Sequence, residues 1–495
     1  MVKDPVFQFG TPEECGVRSQ WVENLLDAYH ELGLMMHSVI LVRHGKIFAE
    51  GYYKPFGPND KHRMYSISKT FASTAIGLLV GEGKISLDDK VIKYFPDKLP
   101  ENMHPYIADM RIRELLCMEA PHLTTTYYPA APDWAWTFFN TEPTHPAGTF
   151  FFYDTSASYT LNVIVERLTG KPYLEYLKDK FLRAAGFSED AWCVKSPEGN
   201  SWGGSGVICT PRDLAKLAFA YLNGGKQNGE QVIPAEYVKE ATSAMVDNAS
   251  DGVYDWVHGH GYGYQIWRSA KNAFGFYGMG SQFAFCFPDK DMMFICTADT
   301  QGTGSAANLI FSELWHQVVS KVEDTPFEAD PEANAKMQAH LENLSCRVVD
   351  GEKHTAFEAK INGKWFEMNE NPMKISKLML EWNDDGGVFH YVMDGEEKSY
   401  PFGAVRYEIG EFPQLNYYGD TIGKASGKPY RCMACGTWTE ERKFVLRTYL
   451  IDNYFGNFTA TFGFKEDGQV GLYMVKTAEW FLDEYQGMAG GKLCE

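Results

Sequence analysis

Basic charge is what this chain most lacks: 46 Lys and Arg stand against 65 Asp and Glu in 495 residues, a formal net charge of −19. Phosphate backbones and anionic membranes are held by clustered cations, and no basic block occurs here. No nucleic-acid or membrane partner is therefore expected. An uninterrupted apolar run of about 18 residues, the minimum for a spanning helix, is also missing. The opening octapeptide, Met1 to Gln8, has neither a basic n-region nor an apolar h-region, so it does not read as a secretory leader. Ten cysteines are present, but they are dispersed, and Cys286 and Cys296 sit within apolar runs. They read as buried thiols rather than a disulfide framework, and cytoplasmic residence is expected. Cys432-Met433-Ala434-Cys435 is a lone C-x-x-C, and His258-Gly259-His260 offers two imidazoles without a third ligand. H-E-x-x-H and P-loop patterns do not occur. No metal and no cofactor are expected.

What is present suits a globular protein of two or three domains, with 44% of residues hydrophobic. Residues 37–42 and 47–53 are β-rich runs joined by Arg43-His44-Gly45-Lys46, which predicts an early hairpin. Helical patterns follow, clearest over 156–168, 174–184 and 211–222, and strands return at 263–267, 283–287 and 292–297. A helix over about 305–322 closes this half. The expected fold class is α+β: an antiparallel sheet flanked by helices, with an inserted helical subdomain. The first domain is placed at residues 1–325, and 326–345 are expected to be a linker with a short helix capped by Asp330-Pro331. Residues 346–495 then read as a separate all-β barrel or sandwich. Asn383-Asp384-Asp385-Gly386-Gly387 marks a hairpin there, and Phe458, Ala460, Phe462 and Phe464 alternate with smaller residues.

Ser66-Ile67-Ser68-Lys69 precedes the apolar helical run 70–80. A serine and a lysine three apart at a helix start share one face, one turn apart. A desolvated lysine can then strip the proton that makes the hydroxyl a poor nucleophile. A chain of this length holds about one S-x-x-K by chance; Ser66 is the only serine here that satisfies it, so its companions carry the argument. Phe152-Tyr153-Asp154-Thr155-Ser156 sets a tyrosine before a helix, where a nearby cation would depress its pKa and let it relay protons. The plain alternative for Tyr153 is a core aromatic. Phe276-Tyr277-Gly278-Met279-Gly280-Ser281-Gln282 opens a strand, its glycines allowing close backbone approach. Gly199-Asn200-Ser201-Trp202-Gly203 fits the G-x-S-x-G elbow of α/β-hydrolases, but both flanks read as loop where the elbow needs strand and helix.

Taken together, Tyr65 to Thr70, Tyr153 with Thr155, and Phe276-Tyr277-Gly278 resemble three ordered motifs of the serine β-lactamase and penicillin-binding-protein superfamily. The branch is that of class C β-lactamases, esterases and D-aminopeptidases. Gly83 to Asp89, Ser205 to Leu214 and Gly261 to Tyr264 resemble further family segments, and the likeness covers about residues 10–322. It implies a serine hydrolase that cleaves a small ester or amide through an acyl-serine intermediate. Ser66 would be the nucleophile, Lys69 the base and Tyr153 the proton relay, with the backbone N–H groups of Ser66 and Met279 as oxyanion hole. Thr155, Phe276, Tyr277 and Gly278 would contact substrate. Penicillin-recognising members carry a lysine or histidine where Phe276 stands. Without that cation a substrate carboxylate would be desolvated unpaired, which favours neutral esters or amides. An aromatic loop, residues 127–139 with Trp134 and Trp136, is expected to wall an acyl pocket or else to pack on its own core, and residues 251–260 to line the opposite rim. The all-β part resembles the lipocalin-like modules of large family members. It would cover the site mouth, mediate oligomer contacts or bind an apolar ligand of its own. Two alternatives stay open: a D-aminopeptidase, amidase or weak β-lactamase on the same scaffold, and a non-catalytic binding or sensor protein.

Overall fold

A computed structural model describes residues 4–249, 255–477 and 481–494. The chain forms two compact units, Met1–Leu344 with Asp420–Lys424, and Ser345–Gly419 with Ala425–Glu495. The helix Pro331–Asn343, capped by Asp330 on the Ala333 N–H, belongs to the first unit, where Leu341 and Leu344 pack against Gly51. The stretch expected as a linker is therefore largely part of that unit, because its apolar residues have a surface there to cover.

The first unit is built on a seven-stranded sheet in the order Gln8–Phe9, Lys46–Tyr52, Met36–Arg43, Met292–Ala298, Gln282–Phe287, Phe274–Gly278, Trp267–Arg268. Only the pairing of the first edge strand is parallel. The expected hairpin is there, with His44 and Gly45 both at positive φ, the geometry of a two-residue turn that matches strand twist. The central strands are buried along their whole length. Helices cover both faces: Phe285 packs on Phe311 and Tyr29 bonds the Ile310 carbonyl on one side, while the helix Pro211–Leu222 lies on the other. Strands covered twice read as continuous apolar runs, which is why residues 283–287 and 292–297 carried no alternation. The run 263–267 is strand only at its last residue; Gln265 takes a left-handed conformation, φ 59°, that an extended strand cannot contain.

In chain order the helical subdomain is inserted between the strands Lys46–Tyr52 and Trp267–Arg268. Its centre is the helix Ser68–Gly81, apolar enough on all sides to be buried throughout nearly its whole length. Its hydroxyls are bonded: Thr70 to the Gln265 carbonyl at 2.9 Å and Ser73 to the Tyr264 carbonyl at 2.8 Å. These bonds tie the helix to the segment that leads into the sheet edge.

The second unit is a closed nine-stranded barrel. Neighbours pair antiparallel from Phe366–Met368 through Glu396–Ala404 in one direction and through Gly487–Leu493 to Tyr430–Glu440 in the other. Closure comes from the parallel contacts Gly403↔Cys435 and Ala404↔Gly436. Phe389, Tyr391, Tyr400, Phe458, Phe462 and Tyr485 fill the interior, each 2% exposed or less. A barrel of this strand number is just wide enough for side chains to fill it. Cys432 and Cys435 stand three apart on one strand, on opposite faces, and cannot share an ion.

Candidate active site

The site begins where the short strand His62–Arg63 runs into a turn and the helix Ser68–Gly81. Tyr65 takes a left-handed backbone conformation, φ 47°, which turns the chain so that Ser66 opens the helical run. Arg63 stabilises this turn: its guanidinium lies over the Tyr65 ring at 4.4 Å and over Trp202 at 4.7 Å, and it donates to the Ser205 carbonyl and hydroxyl. The neighbouring Gly204 carbonyl accepts a 2.7 Å hydrogen bond from Lys69, and the Ser68 hydroxyl accepts from the Val207 N–H. The loop 201–207 is thus the floor that holds both cations.

Lys69 Nζ lies 2.9 Å from Ser66 Oγ, as the helical spacing requires. Lys69 is 1% exposed. Burial, with the Arg63 charge adding to it, pushes its pKa down to about 7 against the opposing pull of Asp154. Near neutrality a large share of Lys69 is therefore free amine, able to accept the serine proton. Asp154 is itself fully buried and caps the helix Thr155–Thr169, accepting from the Ser156 and Ala157 N–H groups at 2.8 and 3.2 Å.

Tyr153 converges on the same point. Lys69 Nζ lies 4.9 Å from its ring centre, and its hydroxyl interacts with Ser66 and with the Trp267 indole. The expected depression of its pKa is overturned: burial raises it, and the interactions with Ser66 and Trp267 only partly offset the rise. The amine nearby, with a pKa near 7, is only partly charged near neutrality, and burial of the phenolate outweighs it. Tyr153 is a neutral phenol, a proton donor.

Strand Phe274–Gly278 brings Met279 to the turn. A side chain on Gly278 would meet the Met64 carbonyl at 2.2 Å, so glycine alone allows the strand so near. Met279, 41% exposed, follows directly after the strand that packs against the turn Tyr65–Ile67. Phe276 and Tyr277 part company because neighbours on a strand face opposite ways. Phe276 is fully buried against Tyr221 and does not line the site, a correction to its expected substrate contact. Tyr277 is also buried, its hydroxyl bonded to Ser269 and the Val257 carbonyl, and it stacks on Trp267. It reaches the site through that ring rather than directly. The methyl of Thr155 packs against Gly204, so Thr155 shapes the lysine's pocket.

The aromatic loop divides. Trp134 is buried, stacked on Tyr127 at 3.9 Å and set edge-on to Trp202, so it supports the floor and does not wall a pocket. Trp136, two residues on in the same helix and so on its other side, is 52% exposed. The rival Ser201 is 3% exposed, its N–H bonded to Glu166, and no strand–turn–helix surrounds it. Of the expected rim, residues 251–254 lie outside the described residues. His258 pairs with Asp255 at 3.3 Å and His260 with the Asp255 carbonyl at 2.7 Å. Among the described residues no group of three or more His, Cys, Asp or Glu converges on a metal position, and no helix is long and apolar enough to cross a membrane. Arg63, Trp202, Gly204 and Trp267 were not singled out from the sequence. For Arg63 the signal was its place three residues before Ser66; for Trp267 it was the end of the run Gly261 to Trp267.

A family model described as Beta-lactamase matches residues 19–313. A 6-aminohexanoate-dimer hydrolase of Paenarthrobacter ureafaciens is 28% identical over 217 residues, 40% of this chain and 55% of that relative. The chain thus spans about half the length of that relative. Among solved structures, a penicillin-binding protein homologue from Caulobacter crescentus superposes with a TM-score of 0.50 at 16% identity, over 61% of this chain and 99% of the other. SurE superposes with a TM-score of 0.50 at 13% identity, over 85% of this chain and 94% of its own. These likenesses show the fold alone.

Proposed function

The chain belongs to the beta-lactamase family, and from that premise we propose that it is a serine hydrolase cleaving a small neutral ester or amide through an acyl-Ser66 intermediate. The observation that carries this reading is a buried amine with a pKa near 7, 2.9 Å from a half-buried serine hydroxyl. Lys69 takes the Ser66 proton as Oγ adds to the carbonyl carbon. The oxyanion is held by the N–H groups of Ser66 and Met279, donors that typically contribute about 3 kcal/mol each. As the bond to the leaving group breaks, Tyr153 gives its proton to the departing oxygen or nitrogen and recovers one from protonated Lys69. Water then adds to the acyl carbon, and Ser66 leaves with a proton returned through the same pair.

A neutral substrate is favoured by the rings of Tyr262 and Trp267 beside Tyr153, themselves packed on Phe151 and Tyr277. The relative's name makes the 6-aminohexanoate dimer, an amide, one substrate to include beside p-nitrophenyl esters, D-amino-acid amides and nitrocefin. A fluorophosphonate probe is expected to add its mass to the Ser66 peptide, and Ser66→Ala to abolish both labelling and turnover. Labelling at Ser201, or turnover undiminished in Ser66→Ala, would remove this reading.

A further inference from the structure

Four aromatic rings meet at one end of the barrel. Tyr417 and Tyr418 lie in the connection before the strand Tyr430–Glu440. Tyr454 lies in the turn between Lys443–Ile451 and Phe455–Phe464, and Phe481 in the segment that leads into Gly487–Leu493. Each ring meets the next at a steep angle: Tyr417 and Phe481 at 5.2 Å and 68°, Phe481 and Tyr454 at 6.2 Å and 77°, Tyr454 and Tyr418 at 6.1 Å and 70°. With Asn416, Asp483 and Glu484 they line a cavity of about 290 Å³, near the lower bound for a small-molecule site.

Leu482 takes a left-handed conformation, φ 73°, which turns the chain after Phe481 so that Asp483 and Glu484 reach the same cavity. The two carboxylates are not equivalent. Asp483 is exposed and pairs with Lys476. Glu484 is half-buried, and among the described residues it pairs with no cation. One of its oxygens accepts from the Tyr417 hydroxyl at 2.6 Å. Burial, and then this carboxylate, hold the Tyr417 phenol well above its usual range, so it stays protonated and donating. Donation to an anion polarises the phenol and makes its ring richer in electrons.

A neutral apolar guest in this cavity would strip water from Glu484 and put nothing in its place. A hard metal ion would find one carboxylate already engaged by Lys476, and rings where oxygen ligands are needed. A substituted ammonium fits both features: its charge answers the carboxylate, and its alkyl groups pack on rings that attract a cation. We propose that this end of the barrel binds a small organic ammonium, with Glu484 as its counter-ion and the rings of Tyr417, Tyr418, Tyr454 and Phe481 as its walls. All of these residues belong to the second unit, so the proposal does not rest on the reading of Ser66.

Choline tests this against 3,3-dimethylbutan-1-ol, which keeps its shape and hydroxyl but carries carbon in place of the charged nitrogen. Binding of each to the full chain is measured by ligand-observed NMR titration. Choline is expected to bind about tenfold more tightly than the alcohol. Glu484→Gln keeps the length of the side chain and removes the charge; it is expected to weaken choline about tenfold and to leave the alcohol unchanged. Tyr418→Leu, at the half-buried ring, is expected to weaken choline at least about threefold, and it serves if the first variant misfolds. Equal binding of choline and the alcohol, no binding of either, or choline binding unchanged in these variants would overturn the proposal.

Discussion

Lys69 illustrates how one residue serves function at a cost to stability. Its pKa in the fold is near 7 against 10.5 for a free side chain, so the unfolded chain holds an extra proton between those values. Stability then rises with pH across that window, and the burden is largest at and below neutrality. Lys69→Met is expected to raise the melting temperature at pH 7, and the gain should shrink as pH approaches 10. A gain that is flat with pH would mean that the lysine is not desolvated as described. Activity is expected to rise with pH on an acid limb near 7, as the amine loses its proton, read from a kcat/KM profile on p-nitrophenyl butyrate. Lys69→Arg, which stays charged throughout, should lower kcat by at least about a hundredfold. Tyr153 shifts the opposite way, because burial penalises the charged form of each group: the ammonium of the lysine and the phenolate of the tyrosine.

At the scale of elements, the strand Phe274–Gly278 sets the second half of the site. Gly278→Ala would drive a methyl into the Met64 carbonyl, so the strand must withdraw from the turn that carries Ser66. A loss of about 1–3 kcal/mol in stability is expected, with a larger relative loss in kcat, measured by urea unfolding and ester turnover. Phe276→Lys is expected to leave affinity for carboxylate-bearing substrates unchanged and to destabilise the protein by several kcal/mol, since the new charge would lie buried against Tyr221. Improved turnover of nitrocefin in that variant would show that position 276 reaches the substrate after all.

At the scale of the molecule, two units hold two separate cores. The barrel's core is specified by polar contacts within its aromatic filling: the Tyr485 hydroxyl pairs with Tyr391 and accepts from Gln414, each at 2.6 Å. Tyr485→Phe leaves two buried groups short of a partner and should cost about 1–3 kcal/mol, followed by denaturant unfolding. Patterns of short range were legible in the residues alone. The hairpin at His44-Gly45, the Asp330 cap, the helix behind Ser66 and the alternating strand around Phe458–Phe464 each depend on bonds or periodicities within a few residues. So did the neighbourhood of Ser66 and Lys69, one helical turn apart. Residues that meet only through the fold were not legible: Trp267 beside Tyr153, Arg63 beneath the turn, Phe276 facing inward, and the direction of the tyrosine's shift. Sequence spacing settles which groups share a helical face or a strand face. Desolvation and orientation are sums over every neighbour a group acquires, and those neighbours come from segments up to two hundred residues apart; the tertiary structure alone assembled them.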